Sequence, residues 1–581
     1  MDAIIGTGKK QISKRIYEII STRNVSIPMS DGVNINVDIF RPDSNEKFPA
    51  LVGLSSVNLE YQRDRVWPSA ARSRRIRGTP DANIESGPTD FFVRRGYVHI
   101  IGSVRGTGRS GGVYQYQSPV DNRDIYEIIE WAAKQSWCNG NVGMIGIAEF
   151  AANQPKVASL QPPHLKAIAP LFAFWDHYRH SWWTGGILSN GFLKWMCSLV
   201  NLDVHTEKSV LLEELGEEGF KKAIANALVD KDISADPGLV DALKNPNRLG
   251  NGALLDILLH PTDGSYWQEC EGVDFNKIKV PAYFGAAGHR PGALYYWSDL
   301  KGPKKVVSGP PSYVDRPFYQ YSWELLRWFD HWLKGTDTGI MDEPAVKIFV
   351  QGANEWKMGD DWPFPETKWI PFNLHANRSL CEIEPWPEAP SASYDDAPGN
   401  RGSLKYYSAP IVENTEVVGP VVLNLYASCR GTDMNLFVSL WDANPEGKET
   451  CLTRGWLKGS HRELDPKRSK PWHPVHTHTN PKLLVPGQVY QIPIPLFPTA
   501  NLFKAGHKIV LKISSSDDEP ENLFQMGMYH LCSQTSNTIT VYHNAQYPSH
   551  LLLPITRGNI VGTYASGGDI SLKTKEFMEL T

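Results

Sequence analysis

Apolar residues in the first third of the chain fall into short β-rich runs that alternate with helix-period stretches. Residues Val25 to Phe40 read as a hairpin, two alternating runs joined at Ser30-Asp31-Gly32. Pro49 to Gly53, Tyr97 to Gly102 and Val142 to Ile147 read as buried strands, and Asp124 to Gln135 as a helix. Alternation of this kind predicts a mostly parallel sheet covered by helices. From about Phe174 to Gly272 the strand signals fade and helical stretches take over: Gly191 to Leu202, Glu207 to Val229 and Leu239 to Leu243. They predict an inserted helical cap. The α/β pattern resumes with Val280 to Gly285 and Lys304 to Ser308, then the helix Ser322 to Lys334. After Gly335-Thr336-Asp337 the chain is a series of β runs separated by turn formers, the pattern of a sandwich or jelly roll. The expected division is an α/β domain over 1–173, a cap over 174–272, the rest of the α/β domain over 273–337, and a jelly roll over 338–581.

Composition narrows the function classes. A chain of 581 residues is too long for one core. Its 59 Lys and Arg against 63 Asp and Glu are interspersed, and no long basic run exists to track phosphates, so no nucleic-acid partner is expected. The seven cysteines are scattered without a CxxC pair, which argues against a disulfide framework or a zinc site. The N-terminal stretch lacks the apolar core of a secretory leader, and nowhere do about 18 apolar residues run together. A cytoplasmic protein without a membrane partner is expected, a homodimer being compatible with its size and apolar content.

Several segments together carry a family likeness. They are Asp38-Ile-Phe-Arg-Pro42, Val104-Arg-Gly-Thr-Gly-Arg-Ser-Gly-Gly112, Trp137-Cys-Asn-Gly-Asn-Val-Gly-Met-Ile-Gly146 and Phe329-Asp-His-Trp-Leu-Lys-Gly335. Further along come Gly459-Ser-His-Arg-Glu463, Gly506-His-Lys-Ile-Val510 and Val541-Tyr-His543. In this order they resemble the cocaine esterase and X-prolyl dipeptidyl peptidase family of α/β hydrolases. The resemblance implies a hydrolase domain, a helical cap inserted into it, and a C-terminal jelly roll.

It also implies where a catalytic triad would stand. The family's nucleophile serine sits on a Gly-x-Ser-x-x-Gly turn between strand and helix. Here the turn reads Gly146-Ile-Ala-Glu-Phe-Ala151, which puts Ala148 at the serine's place. A methyl group has no lone pair with which to attack a carbonyl. The loop expected to hold the acid, Ala286 to Gly292, has no carboxylate, and the loop expected to hold the base, Ser308 to Asp315, has no histidine. Val57 falls where the oxyanion-hole tyrosine would be placed. Ordinary serine hydrolysis is therefore not expected.

Other residues on those loops are candidates for chemistry. Glu149, His289 and Asp315 could carry protons, while Arg290 and Tyr313 could stabilise developing negative charge. Val57, Asn58, Glu60 and Ala148 would border the pocket, and Phe174, Trp175, Trp182 and Trp183 would line an apolar cavity or else fill the cap–core interface. His473, His476 and His478 suggest a metal only superficially and read as a surface loop; the glycine-rich run Val104 to Gly112 lacks the ending of a phosphate loop. No cofactor or metal is expected. The function that follows is a non-hydrolytic enzyme that cyclises, isomerises or eliminates within a hydrophobic natural-product intermediate. The alternatives are an inert pseudo-hydrolase that binds a ligand or partner, and a hydrolase with a relocated nucleophile or an activated water.

Overall fold

A computed structural model describes residues 11–57, 85–200, 204–205, 209–246, 251–286, 293–309, 317–397, 400–518, 529–531 and 537–558. The opening hairpin pairs β1 (Ile19–Pro28) with β2 (Asn34–Pro42) in antiparallel register. Then come β3 (Phe48–Ser55), β4 (Val98–Ser103), β5 (Cys138–Ile147) and β6 (Leu165–Leu171), all apolar for much of their length. Beyond the cap, β7 (Ala282–Ala286) and β8 (Lys304–Ser308) continue the sheet. The strand order is β1-β2-β4-β3-β5-β6-β7-β8, parallel from β4 to β8. Continuous burial of β3 and β4 is what a parallel sheet covered on both faces demands.

The sheet does not stop where the sequence pattern changes. β9 (Val346–Val350) pairs in parallel with β8, and β10 (Glu355–Gly359) closes the edge antiparallel to it. The run VKIFVQG, which the sequence groups with the C-terminal β region, thus supplies the ninth strand of a ten-stranded sheet. Its alternating burial has the period of any half-buried strand, so the pattern alone does not say which sheet it joins.

Three long helices, with the short helix Thr89–Val93, brace the sheet among the described residues. α1 (Pro119–Ala133) starts on Ser118, whose hydroxyl accepts the Val120 N–H at 3.1 Å, with Pro119 at the first helical position. α2 (Glu149–Ser159) follows β5 directly, and its Asn153 side chain donates to the Leu54 carbonyl of β3 at 2.9 Å. α3 (Pro317–Lys334) packs across β5 and β6. Between β6 and β7 the cap contributes Asn190–Val200, Val210–Val229, Pro237–Lys244, Gly252–Leu259 and Ser265–Glu271. Ser209, Asp236 and Asn251 cap three of these through side-chain oxygens.

The C-terminal region is β-rich, with one eight-stranded and one four-stranded sheet. Leu423 and Leu425 of the first share a core with Leu436, Val438 and Leu440 of the second. This region and the cap meet at close quarters. At Gly185 (φ +62°) a Cβ would lie 2.0 Å from the Trp456 carbonyl oxygen, so glycine is required both for the backbone conformation and for the approach. Arg179 ties the same seam, donating to Asp176 at 3.0 Å, to Asp263 at 2.6 Å and to the His476 and Thr477 carbonyls. Among the described residues no helix is long and apolar enough to cross a membrane.

Candidate active site

The turn from β5 into α2 has the geometry of a nucleophile elbow. Ala148 adopts φ 53°, ψ −119°, a conformation that costs an alanine on the order of 1–3 kcal/mol. Surrounding backbone holds it there: the Ala148 N–H donates to the Leu171 carbonyl at 3.2 Å, and its own carbonyl accepts the Ala152 N–H at 2.9 Å. Gln117 (φ 52°) and Phe172 (φ 55°) are also non-glycine residues with positive φ, one bonded to Glu149 and the other next to Leu171. Strain of this kind gathers where a side chain has to be aimed. Ala148→Gly is therefore expected to stabilise the fold by about 1 kcal/mol, read as a higher midpoint in thermal denaturation.

Glu149 opens α2, and its side chain turns back over the end of β3. One carboxylate oxygen accepts the Ser55 hydroxyl at 2.9 Å, the Ser56 hydroxyl at 2.6 Å and the Ser56 N–H at 3.2 Å. Among the described residues the other has only the Gln117 amide, at 3.4 Å. Gln117 is itself held by Lys156, whose ammonium donates to it at 2.9 Å and also to the Cys270 carbonyl. Burial raises the Glu149 pKa above the ordinary carboxylate value, opposed by the serine hydrogen bonds and the Lys156 charge. Burial pulls Lys156 down to about 8. As the first residue of its helix, Glu149 also has a backbone N–H without an intrahelical acceptor.

The other candidates are placed as follows. Val57 is buried, and its N–H donates to the Ser55 hydroxyl at 3.0 Å, so it finishes the turn that presents the two serines. Phe174 is partly buried beside His180. Trp175, Trp182 and Trp183 are at most 1% exposed, which makes them cap–core packing. Trp175 meets Phe275, Phe284 and Tyr296; Trp182 meets Tyr116 and Phe192; Trp183 donates to the Ile257 carbonyl at 3.2 Å. Asn58, Glu60, His289, Arg290, Tyr313 and Asp315 lie outside the described residues. Sequence reasoning missed Ser55 and Ser56 as the anchors of Glu149, and missed Gln117 and Lys156 altogether. Lys156 carried a signal, since it stands two turns beyond Glu149 in a helix otherwise rich in alanine.

A strand–elbow–helix turn on a mostly parallel sheet, with an inserted cap and a β-rich C-terminal region, defines an α/β-hydrolase-like protein. Comparison with known proteins makes this specific. The X-Pro dipeptidyl-peptidase (S15) family pattern matches residues 31–313, and that of the X-Pro dipeptidyl-peptidase C-terminal non-catalytic domain matches 338–552. The cocaine esterase of Rhodococcus sp. (strain MB1 Bresler) is 26% identical over 612 residues, covering 93% of this chain and 99% of that protein. A CocE/NonD family hydrolase from Staphylococcus aureus superimposes with a TM-score of 0.76 at 26% identity, over 92% of this chain and 94% of its own. An α-amino acid ester hydrolase shares the fold at 20% identity, with a TM-score of 0.71 over 94% of this chain and 98% of that one. The chain belongs to the cocaine esterase/X-Pro dipeptidyl-peptidase family.

These findings correct the function expected from sequence. A cyclase, isomerase or lyase, and equally an inert pseudo-hydrolase, conflicts with relatives that are esterases and peptidases along nearly the whole chain. The expectation rested on a retained fold, a retained aromatic cap and charged residues in the loops where the catalytic groups would stand. Of those residues the described structure includes Glu149, whose anchored carboxylate at the elbow is compatible with hydrolysis.

Proposed function

We propose that this chain hydrolyses an ester or amide of a hydrophobic small molecule without a serine triad, by direct attack of water. The observation that carries the reading is the Glu149 carboxylate, anchored beside the elbow through one oxygen by three donors, its other oxygen meeting among the described residues just the Gln117 amide at 3.4 Å. Loss of the triad is supported by the Ala148 methyl on the elbow and by the sequences of the two loops where the acid and base would stand. Water takes the place of the serine hydroxyl. Glu149 accepts a proton from it as its oxygen bonds to the carbonyl carbon, and the Glu149 N–H faces the developing oxyanion. Collapse of the tetrahedral intermediate breaks the bond to the leaving group, which takes the proton back from Glu149. Burial favours this role, because a carboxylate with a raised pKa is a stronger base near neutral pH. We also read the C-terminal region as a jelly roll, supported by two antiparallel sheets that share one core.

A panel of chromogenic acyl esters and amides, assayed beside a fluorophosphonate probe, tests the proposal. Turnover of at least one substrate with no labelled serine is expected. Absence of turnover across the panel, or labelling of a serine in step with turnover, would count against it.

A further inference from the structure

Away from the elbow, a cavity of about 260 Å³ opens between the cap, the short helix Ala293–Tyr296 and the C-terminal β region. Its walls are flat. Tyr295 lies against the His473 ring at 4.0 Å and 12°, and against His180 at 5.7 Å and 30°. Trp456 and Phe497 meet edge to face at 5.6 Å on the β side. Burial lowers the pKa of His180 and His476 to about 4 and that of His473 to about 3, so these imidazoles are uncharged at neutral pH. The histidines of the 473–478 stretch, a surface loop by sequence, are thus walls of a cavity. Among the described residues no group of three side chains is placed to hold a metal ion.

Two features point to a ligand. The first is a pair of buried polar atoms without a partner among the described residues, His180 Nδ1 and Thr184 Oγ1, on residues at most 9% exposed. The His180 ring nitrogen and the Thr184 hydroxyl can each form a hydrogen bond with a ligand. Leaving such an atom unpaired is unfavourable, and a matching ligand recovers the loss. The second is charge. Among the described residues Arg179, Lys467, Arg468 and Lys470 line the cavity against two carboxylates, Asp176 and Asp299. Arg179 is saturated by its partners, but Arg468 reaches Asp176 only at 3.6 Å and its side chain is 42% exposed. It is a guanidinium at the rim with donors to spare.

We propose that this cavity binds a planar bicyclic aromatic acid, its rings between the aromatic walls and its anion on Arg468. The volume fits. A cavity of roughly 150 Å³ takes up benzene, and two fused rings need more. Calorimetric titration of the full chain with indole-3-acetate tests the site, with 3-methylindole and tryptamine as the neutral and cationic comparisons. Saturable one-to-one binding of the acid is expected, at least tenfold tighter than either comparison, with that preference abolished in Arg468→Gln. Glu149→Gln should bind the acid as the parent does, because the inference does not rest on the hydrolytic reading. No saturable binding, equal binding of all three compounds, or unchanged preference in Arg468→Gln would overturn it. So would loss of binding in Glu149→Gln, which would put the acid at the elbow.

Discussion

Replacing Glu149 with glutamine is expected to lower kcat for ester hydrolysis by roughly 10²–10⁴, the range that general-base catalysis supplies. The substitution is nearly isosteric. A glutamine carbonyl oxygen can still accept from Ser55 and Ser56, so the turn that anchors the side chain survives. What disappears is a group able to take a proton from water. The pH profile carries the same signature. Catalysis needs the ionised carboxylate, and burial raises its pKa, so kcat/KM of the parent climbs with pH along a limb displaced above the ordinary carboxylate range. That limb should be missing from the glutamine variant. Stability moves in the opposite sense. Because the folded protein favours neutral Glu149, its contribution is fully present below the ordinary glutamate pKa and is lost as pH rises through the raised folded value. A variant that kept both the rate and the limb would show Glu149 to be structural only.

Gly146→Ala is expected to lower stability strongly. A Cβ at that position would stand 2.3 Å from the Phe150 Cβ and 2.9 Å from the Phe150 carbonyl atoms. Neither neighbour is the far end of a flexible side chain, so relief requires α2 to move away from β5. Overpacking of this kind costs about 3 kcal/mol, roughly 5 °C in the denaturation midpoint of a domain this large. Hydrolysis should fall as well, since the displaced helix carries Glu149 at its first position. An unchanged midpoint would mean that the elbow is softer than its hydrogen bonds imply.

Much of this arrangement was legible in the sequence, for identifiable reasons. β8 was predicted to its full extent, Lys304–Ser308, and the opening hairpin was found from two alternating runs around a turn. The helical period begins at Asp124, whereas α1 starts earlier, at the Ser118-Pro119 cap with proline at the first helical position. β9 lies within the residues that match the C-terminal domain yet pairs with β8, because period-two alternation fixes a strand but not its hydrogen-bonding partner. At the site, the family's turn located Ala148 and Glu149. The Gln117 and Lys156 that steady Glu149 come from a loop before α1 and from the far end of α2, a juxtaposition that no local pattern encodes. The same holds for His473, which stacks on Tyr295 across 178 positions of sequence.

The central claim, hydrolysis by water without a covalent intermediate, is tested most directly by rapid quench during turnover of an activated p-nitrophenyl ester. Product release and the mass of the intact chain are followed together. The account predicts linear release from the first turnover and an unaltered protein mass. A burst equal to the protein concentration, with a mass gain of one acyl group, would contradict it.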